Sequence, residues 1–213
     1  MKTIVYLLRH GQSQGNAVHR FLGQSDWDLT ELGDQQADCA AQATRNLPLD
    51  KLYSSDLCRA WHTTEPVAAI HGLPIHPAPG LREISAGLWE THPFEELIET
   101  YPEDYRRWRT DIAHACPTGG ESTAQLYERV FDELNRIEAE SRGLTVLVGT
   151  HATPIRMLMA RIGHGSLEAA NEITWVPNAS LTKLICEDGV WRIDYAGDDS
   201  HLGNLHTNLP ATV

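Results

Sequence analysis

Two imidazoles, two guanidinium groups and one carboxylate recur behind short apolar runs of this chain. Arg9 and His10 follow the run Ile4-Val5-Tyr6-Leu7-Leu8. His151 follows Leu144 to Val148 in the same way, through Gly149-Thr150. Arg59 opens a helical stretch after Leu49 to Tyr53, and Glu83 follows Leu73 to His76. That set suits transfer of a phosphoryl group. Imidazole is a competent nucleophile toward phosphorus and is partly neutral at pH 7. Arginine forks match phosphate oxygens bidentately. A lone carboxylic acid can protonate a leaving oxygen and then, as carboxylate, activate water. Taken singly, each residue has a plainer reading. Arg9-His10-Gly11 is also a capped strand end, and Arg59 is also a solvated helix residue.

The positions matter only if the elements bring them together. The β-branched and apolar runs read as buried strands. Between them lie helical patterns. Thr30 predicts a helix N-cap, followed by an apolar face of Leu32, Ala37, Ala40, Ala41 and Leu47. Ser54-Ser55-Asp56 predicts caps for the helix carrying Arg59, with a kink at Pro66 and closure at Gly72. Pro93 to Ala115 is helical, amphipathic and interrupted by Pro102. Ser122 with Gln125 predicts a capping box opening the helix of Leu126, Val130, Leu134 and Ile137, with Gly143 as its C-cap. Asp188-Gly189 between two apolar runs predicts a hairpin.

Strands alternating with helices predict a three-layer α/β/α sandwich, with a mainly parallel sheet and an antiparallel C-terminal edge. In such sheets ligands bind beyond the carboxyl ends of the strands, which is where the candidate residues fall. Gly11 predicts close approach of a ligand to the backbone. The polar tail from Gly197 is read as a surface loop. No repeat or linker divides the 213 residues, so a single domain over 1–213 is expected.

Composition narrows the partners. With 29 acidic against 17 basic residues the formal net charge is −12, which disfavours nucleic acid and anionic membrane surfaces. No apolar run is long enough to span a bilayer, and the N-terminal run is too short for a signal-peptide core. A cytoplasmic protein is expected. The four cysteines form no CxxC pair, so free buried thiols are expected rather than a zinc site or disulfides.

The chain resembles the histidine phosphatase superfamily, in its phosphoglycerate-mutase-like branch. The matching pieces are LLRHGQSQGN (Leu7 to Asn16), GQSDWDLTELG (Gly23 to Gly33), YSSDLCRAWHTTEP (Tyr53 to Pro66), LREISAGLWE (Leu81 to Glu90), GGES (Gly119 to Ser122) and GTHATPIR (Gly149 to Arg156). They cover most of the chain in the family's order. The resemblance implies that His10 is a nucleophile forming a phosphohistidine. It implies that Arg9, Arg59 and His151 hold the phosphoryl oxygens, with Asn16 as a further phosphate donor. Glu83 would be the proton donor to the leaving oxygen, and Gly23 and Ala152 would border the substrate. Neither metal nor cofactor is implied. Ala152 stands where the family usually has glycine, Leu22 where relatives place Thr or Gln, and Thr91 where glycine is common. His201, in Asp199-Ser200-His201-Leu202, resembles a tail segment of the phosphatase members.

Mutases and phosphatases of this family share the first half-reaction and differ in what collects the phosphoryl group. Mutases carry a longer cationic insertion before the second histidine. Here the stretch 90–121 is short, acidic at its start, and reads as a helical lid or specificity segment. Its Arg106 and Arg107 are read as surface residues, and Glu90, Glu95 and Glu96 as solvated. The resemblance is therefore strongest to the small cofactor-independent phosphatases, and a phosphomonoesterase acting on small phosphorylated metabolites is expected. α-Ribazole phosphate, phosphoserine, 3-phosphoglycerate and broad specificity all stay open as substrates. A mutase and a non-catalytic phosphate-binding domain are the alternatives, and monomer and homodimer are both compatible with the sequence.

Overall fold

A computed structural model describes residues 1–207. Its six strands are β1 (Lys2–Arg9), β2 (Lys51–Ser54), β3 (Ile75–Pro77), β4 (Thr145–Thr150), β5 (Leu181–Glu187) and β6 (Val190–Asp198). They form one sheet in the order β3-β2-β4-β1-β5-β6. β3, β2, β4 and β1 run parallel, and β5 and β6 add the antiparallel edge. The helices are α1 (Gln14–Ala17), α2 (Glu31–Thr44), α3 (Cys58–His71), α4 (Phe94–Thr100), α5 (Pro102–Thr110), α6 (Thr123–Glu140) and α7 (Ala152–His164).

Alternation along β1 shows why three layers form. Tyr6 and Leu8 face one cluster, with Ala40 and Ala41 of α2 and Val67 of α3. Val5 and Leu7 face the other, with Leu126, Val130 and Leu134 of α6 and Ile155 and Leu158 of α7. Successive strand side chains point to opposite faces, so a strand apolar at every position must be covered twice. The α/β class, the mainly parallel sheet and the antiparallel edge are as the sequence predicts.

Thr30 caps α2 by accepting from the Gly33 amide, and Ser122 with Gln125 forms the capping box of α6. Asp188 and Gly189, both at positive φ, close the predicted hairpin. Gly72 closes α3 at positive φ as predicted, whereas the N-cap differs from expectation. Its N-cap is Leu57, with no side-chain cap of its own. Instead the Cys58 amide donates to Asp26 Oδ1 at 2.7 Å, across from another loop. Asp56 is engaged by Arg82, and Ser55 by His151. α6 ends at Ser141, two residues before Gly143. All four cysteines are free, and burial holds for Cys186 alone. Of the polar tail, residues 208–213 lie outside the described residues.

Candidate active site

Register places the candidate residues. Arg9 of β1 pairs with Thr150 of β4, and Ser54 of β2 with Gly149, so these three parallel strands end at one edge. The next backbone links run across that edge. The His10 amide donates to Thr150 O at 3.0 Å, and the Ser55 amide to Gly149 O at 2.8 Å. The His10 and His151 rings therefore sit side by side, with centroids 5.2 Å apart. Thr150 Oγ1 donates to Leu81 O, tying the Glu83 loop to the same edge.

A cavity of about 290 Å³ opens over these strand ends. Arg9, His10, Asn16, Gly23, Arg59, Glu83 and Ala152 all line it. His151 is fully enclosed directly behind His10. Leu22 also lines the cavity, whereas the exposed Arg106 and Arg107 do not. His201 lies behind the site, its Nε2 paired with Ala179 O, while the Ala179 amide donates to His10 O. Among the described residues, no group of three or more His, Cys, Asp or Glu side chains is placed to hold a metal ion.

The backbone of the first loop explains Gly11 in a way the sequence does not. A Cβ there would come within 2.5 Å of Gly33 O at the start of α2. The close approach that requires glycine here is between two pieces of backbone. The Gly11 amide donates to Thr63 Oγ1, and Thr63 Oγ1 in turn donates to Arg59 O. The loop bearing His10 is thus pinned against both α2 and α3.

Each chemical group is held by named partners. His10 Nδ1 lies 2.7 Å from Gly11 O. A carbonyl can only accept, so Nδ1 carries the proton and Nε2 presents its lone pair. Arg59 donates from Nη1 to Ser25 O at 2.9 Å and from Nη2 to Gly23 O at 2.7 Å. Arg9 donates to Val176 O. Glu83 accepts from the Ile84 amide at 2.8 Å and from the Thr153 amide at 3.4 Å. The second of these lies in the first turn of α7, so the carboxylate bridges its own loop and that helix.

Asn16 serves two ends. Its Oδ1 accepts from the Ser13 amide, completing the capping box of α1, and from Asn178 Nδ2. The residue itself lines the cavity. Among the described residues, three buried polar side-chain atoms lack a partner: Arg9 Nε, His151 Nδ1 and Asn178 Oδ1. All three belong to the site or to a residue braced against it. Arg9 lines the cavity, while His151 and Asn178 stand against His10.

Several contributors carry no signal in the sequence. Asn178 Nδ2 holds the His10 and Gly11 carbonyls from the far side of the chain. Arg129 grips Glu121 and donates to the carbonyls of Gly80, Arg82 and Glu83, fixing the loop that presents Glu83. Glu90 is not solvated as expected. It accepts from the amides of Gln24 and Ala86 and from Ser25 Oγ, clamping the loop whose carbonyls hold Arg59. Arg20, Phe21, Phe94, Trp108 and Trp175 line the cavity away from the strand ends.

Burial dominates the electrostatics. Burial first, then the Arg59 and Arg9 charges, holds His10 well below the usual histidine range. His151 is lowered by burial, then by Arg59 and His10. Burial brings Arg9 down to about 10, against the raising effect of Glu83. Both imidazoles are consequently neutral and proton-accepting at neutral pH. In an NMR pH titration, both rings should stay neutral at pH 6, while exposed His114, raised by its hydrogen bond to Asp111, is protonated. The unfolded chain binds these protons near pH 6.5 and the folded chain does not. Stability from this source is therefore complete above pH 6.5 and declines as pH falls below it. A His10 ring titrating at or above 6.5 contradicts this electrostatic picture.

The fold is that of the histidine phosphatase-like α/β proteins. Residues 5–199 match the family model of the histidine phosphatase superfamily, branch 1, and the chain belongs to that family. A phosphoserine phosphatase of Hydrogenobacter thermophilus is 37% identical over 71% of this chain and 72% of its own length. A probable phosphoglycerate mutase of Cronobacter sakazakii is 32% identical over 93% of this chain and 94% of its own. The solved structure of Bacillus stearothermophilus YhfR superposes with a TM-score of 0.90 at 28% identity, covering 94% of this chain and 99% of its own. No helix among the described residues is long and apolar enough to cross a membrane.

Proposed function

We propose that the protein is a phosphomonoesterase that hydrolyses small phosphorylated metabolites through a phosphohistidine on His10, without metal or cofactor. The observation that carries this reading is the state of His10. It is a neutral, buried ring with Nδ1 committed to Gly11 O and Nε2 left as the nucleophilic atom, flanked by two guanidinium groups. In the first half-reaction Nε2 attacks phosphorus as the bond to the alcohol oxygen breaks. Arg9 and Arg59, with Asn16, meet the charge on the phosphoryl oxygens. His151 backs the site. Its Nε2 lies 2.8 Å from Ser55 Oγ, which fixes the ring against β2. Glu83 gives its proton to the departing oxygen. In the second half-reaction the Glu83 carboxylate takes a proton from water, the water oxygen attacks phosphorus, and His10 leaves as neutral imidazole.

The same first half-reaction serves a mutase, and a relative named as one supports keeping that alternative in the test. The purified protein is expected to release p-nitrophenolate from p-nitrophenyl phosphate with EDTA present and with no added bisphosphoglycerate. Dependence on bisphosphoglycerate for any turnover favours the mutase. Absence of hydrolysis at every pH sinks the phosphatase reading.

A further inference from the structure

The cavity has two ends of different chemistry. Arg9, His10, Arg59 and Glu83 make the polar end. Phe21, Leu22, Phe94, Trp108 and Trp175 wall the other. These walls brace one another. Phe21 meets Trp108 edge-on at 5.1 Å and Phe94 at 6.0 Å. Trp108 stacks with Trp175 at 6.2 Å and 23°. The Arg156 guanidinium lies 4.3 Å from the centre of the Trp175 ring, fixing it further. An apolar surface held in this way is ready before the ligand arrives, so less ordering is lost on binding.

Charge is sparse at that end. Arg20 is the cation there, and it already donates to Thr91 O. Among the described residues Glu83 is the one carboxylate lining the cavity, so an ammonium on the alcohol finds no second acid there to meet it. An apolar alcohol covers this wall without burying an unpaired polar atom, and a ring gains both area and edge or face contacts.

Resting on the phosphatase reading, we propose that the site takes phosphate monoesters of aromatic or compact apolar alcohols, the apolar part lying against Phe21, Trp108 and Trp175. The size agrees. At about 290 Å³ the cavity sits at the lower end of ligand pockets, with room for a phosphate and one or two rings. Leu22, which stands where a polar residue was expected from the resemblance, belongs to the same apolar wall.

The test compares phenethyl phosphate with ethyl phosphate, whose leaving groups are both primary alkoxides, so that the ring alone is varied. O-phosphoserine and 3-phosphoglycerate serve as charged arms. Phenethyl phosphate should exceed ethyl phosphate in kcat/KM by about 30-fold or more, and should exceed both charged esters. Trp175→Ala should lower the phenethyl-to-ethyl ratio by about 5-fold or more. Leu22→Thr should lower it in the same direction, and it serves where Trp175→Ala does not fold. A ratio near one in an enzyme that turns over p-nitrophenyl phosphate, a preference for a charged ester, or an unchanged ratio in a folded variant overturns the substrate class and leaves the phosphatase reading standing. Hydrolysis of none of these esters, p-nitrophenyl phosphate included, overturns that reading itself.

Discussion

His10→Ala should lower turnover of p-nitrophenyl phosphate by about 10⁴-fold or more, and should abolish the phosphoenzyme. The size of the loss follows from what no neighbour can replace. The other imidazole of the site, His151, is fully enclosed and has its Nε2 committed to Ser55. Its ring centroid is 5.2 Å from that of His10, so it cannot occupy the same point without moving β4. Glu83 is anchored to the Ile84 and Thr153 amides and, as a carboxylate, is the weaker nucleophile toward phosphorus. Radiolabelled substrate quenched in alkali should leave label on the wild-type protein, and mild acid should release it, as a phosphoramidate requires. The variant should carry none. The side chain itself makes a single described hydrogen bond, to Gly11 O, while the loop is held by its backbone through Thr150, Ala179 and Asn178. The variant should accordingly fold, and thermal melting checks this. Turnover or labelling that persists in folded His10→Ala assigns the nucleophile elsewhere.

The legible part of this site was the local part. An apolar strand that stops at a charged or imidazole residue can be read from a few neighbouring letters, and it occurs at Arg9-His10 and again at His151. A parallel sheet then supplies the convergence, because the ends of parallel strands share an edge. The illegible part depends on pairings between distant segments. Ser55 reads as a helix cap, since Ser-Ser-Asp before a helical stretch is the usual capping signal. The structure gives that duty to Asp26 and turns Ser55 toward His151. Glu90 reads as a solvated acid because nothing in its own segment shows that the loop of Gln24 and Ser25 folds back onto it. Gly11 reads as room for a ligand because the neighbour that excludes a Cβ, Gly33, is 22 positions away. The aromatic walls were hidden in the same way. Phe94 and Trp108 lie in the stretch expected to set specificity, but Phe21, Leu22 and Trp175 lie outside it. The cavity wall is shared between that stretch and the loops on either side of the sheet edge.

Glu83→Gln should separate the two half-reactions. For alkyl phosphates, kcat/KM should fall by about 10²–10⁴-fold, the usual worth of a positioned general acid. For p-nitrophenyl phosphate the fall in kcat/KM should be much smaller, because p-nitrophenolate departs without a proton. The glutamine carbonyl can still accept from the Ile84 amide, giving up the longer bond to the Thr153 amide, and Arg129 holds the loop through its carbonyls, so the loop should stay in place. What it cannot do is take a proton from water. The second half-reaction should then become limiting for the activated ester. That predicts a burst of p-nitrophenolate close to one per active site, followed by a slow steady state and an accumulated phosphohistidine. Removing the Glu83 charge also removes the group that raises Arg9 and Arg59. Both guanidinium groups remain charged at neutral pH, so phosphate binding should not weaken and KM should stay level or fall. Equal slowing of alkyl and p-nitrophenyl esters in kcat/KM, with no burst, assigns the proton transfers to another group and reduces Glu83 to a brace for the loop.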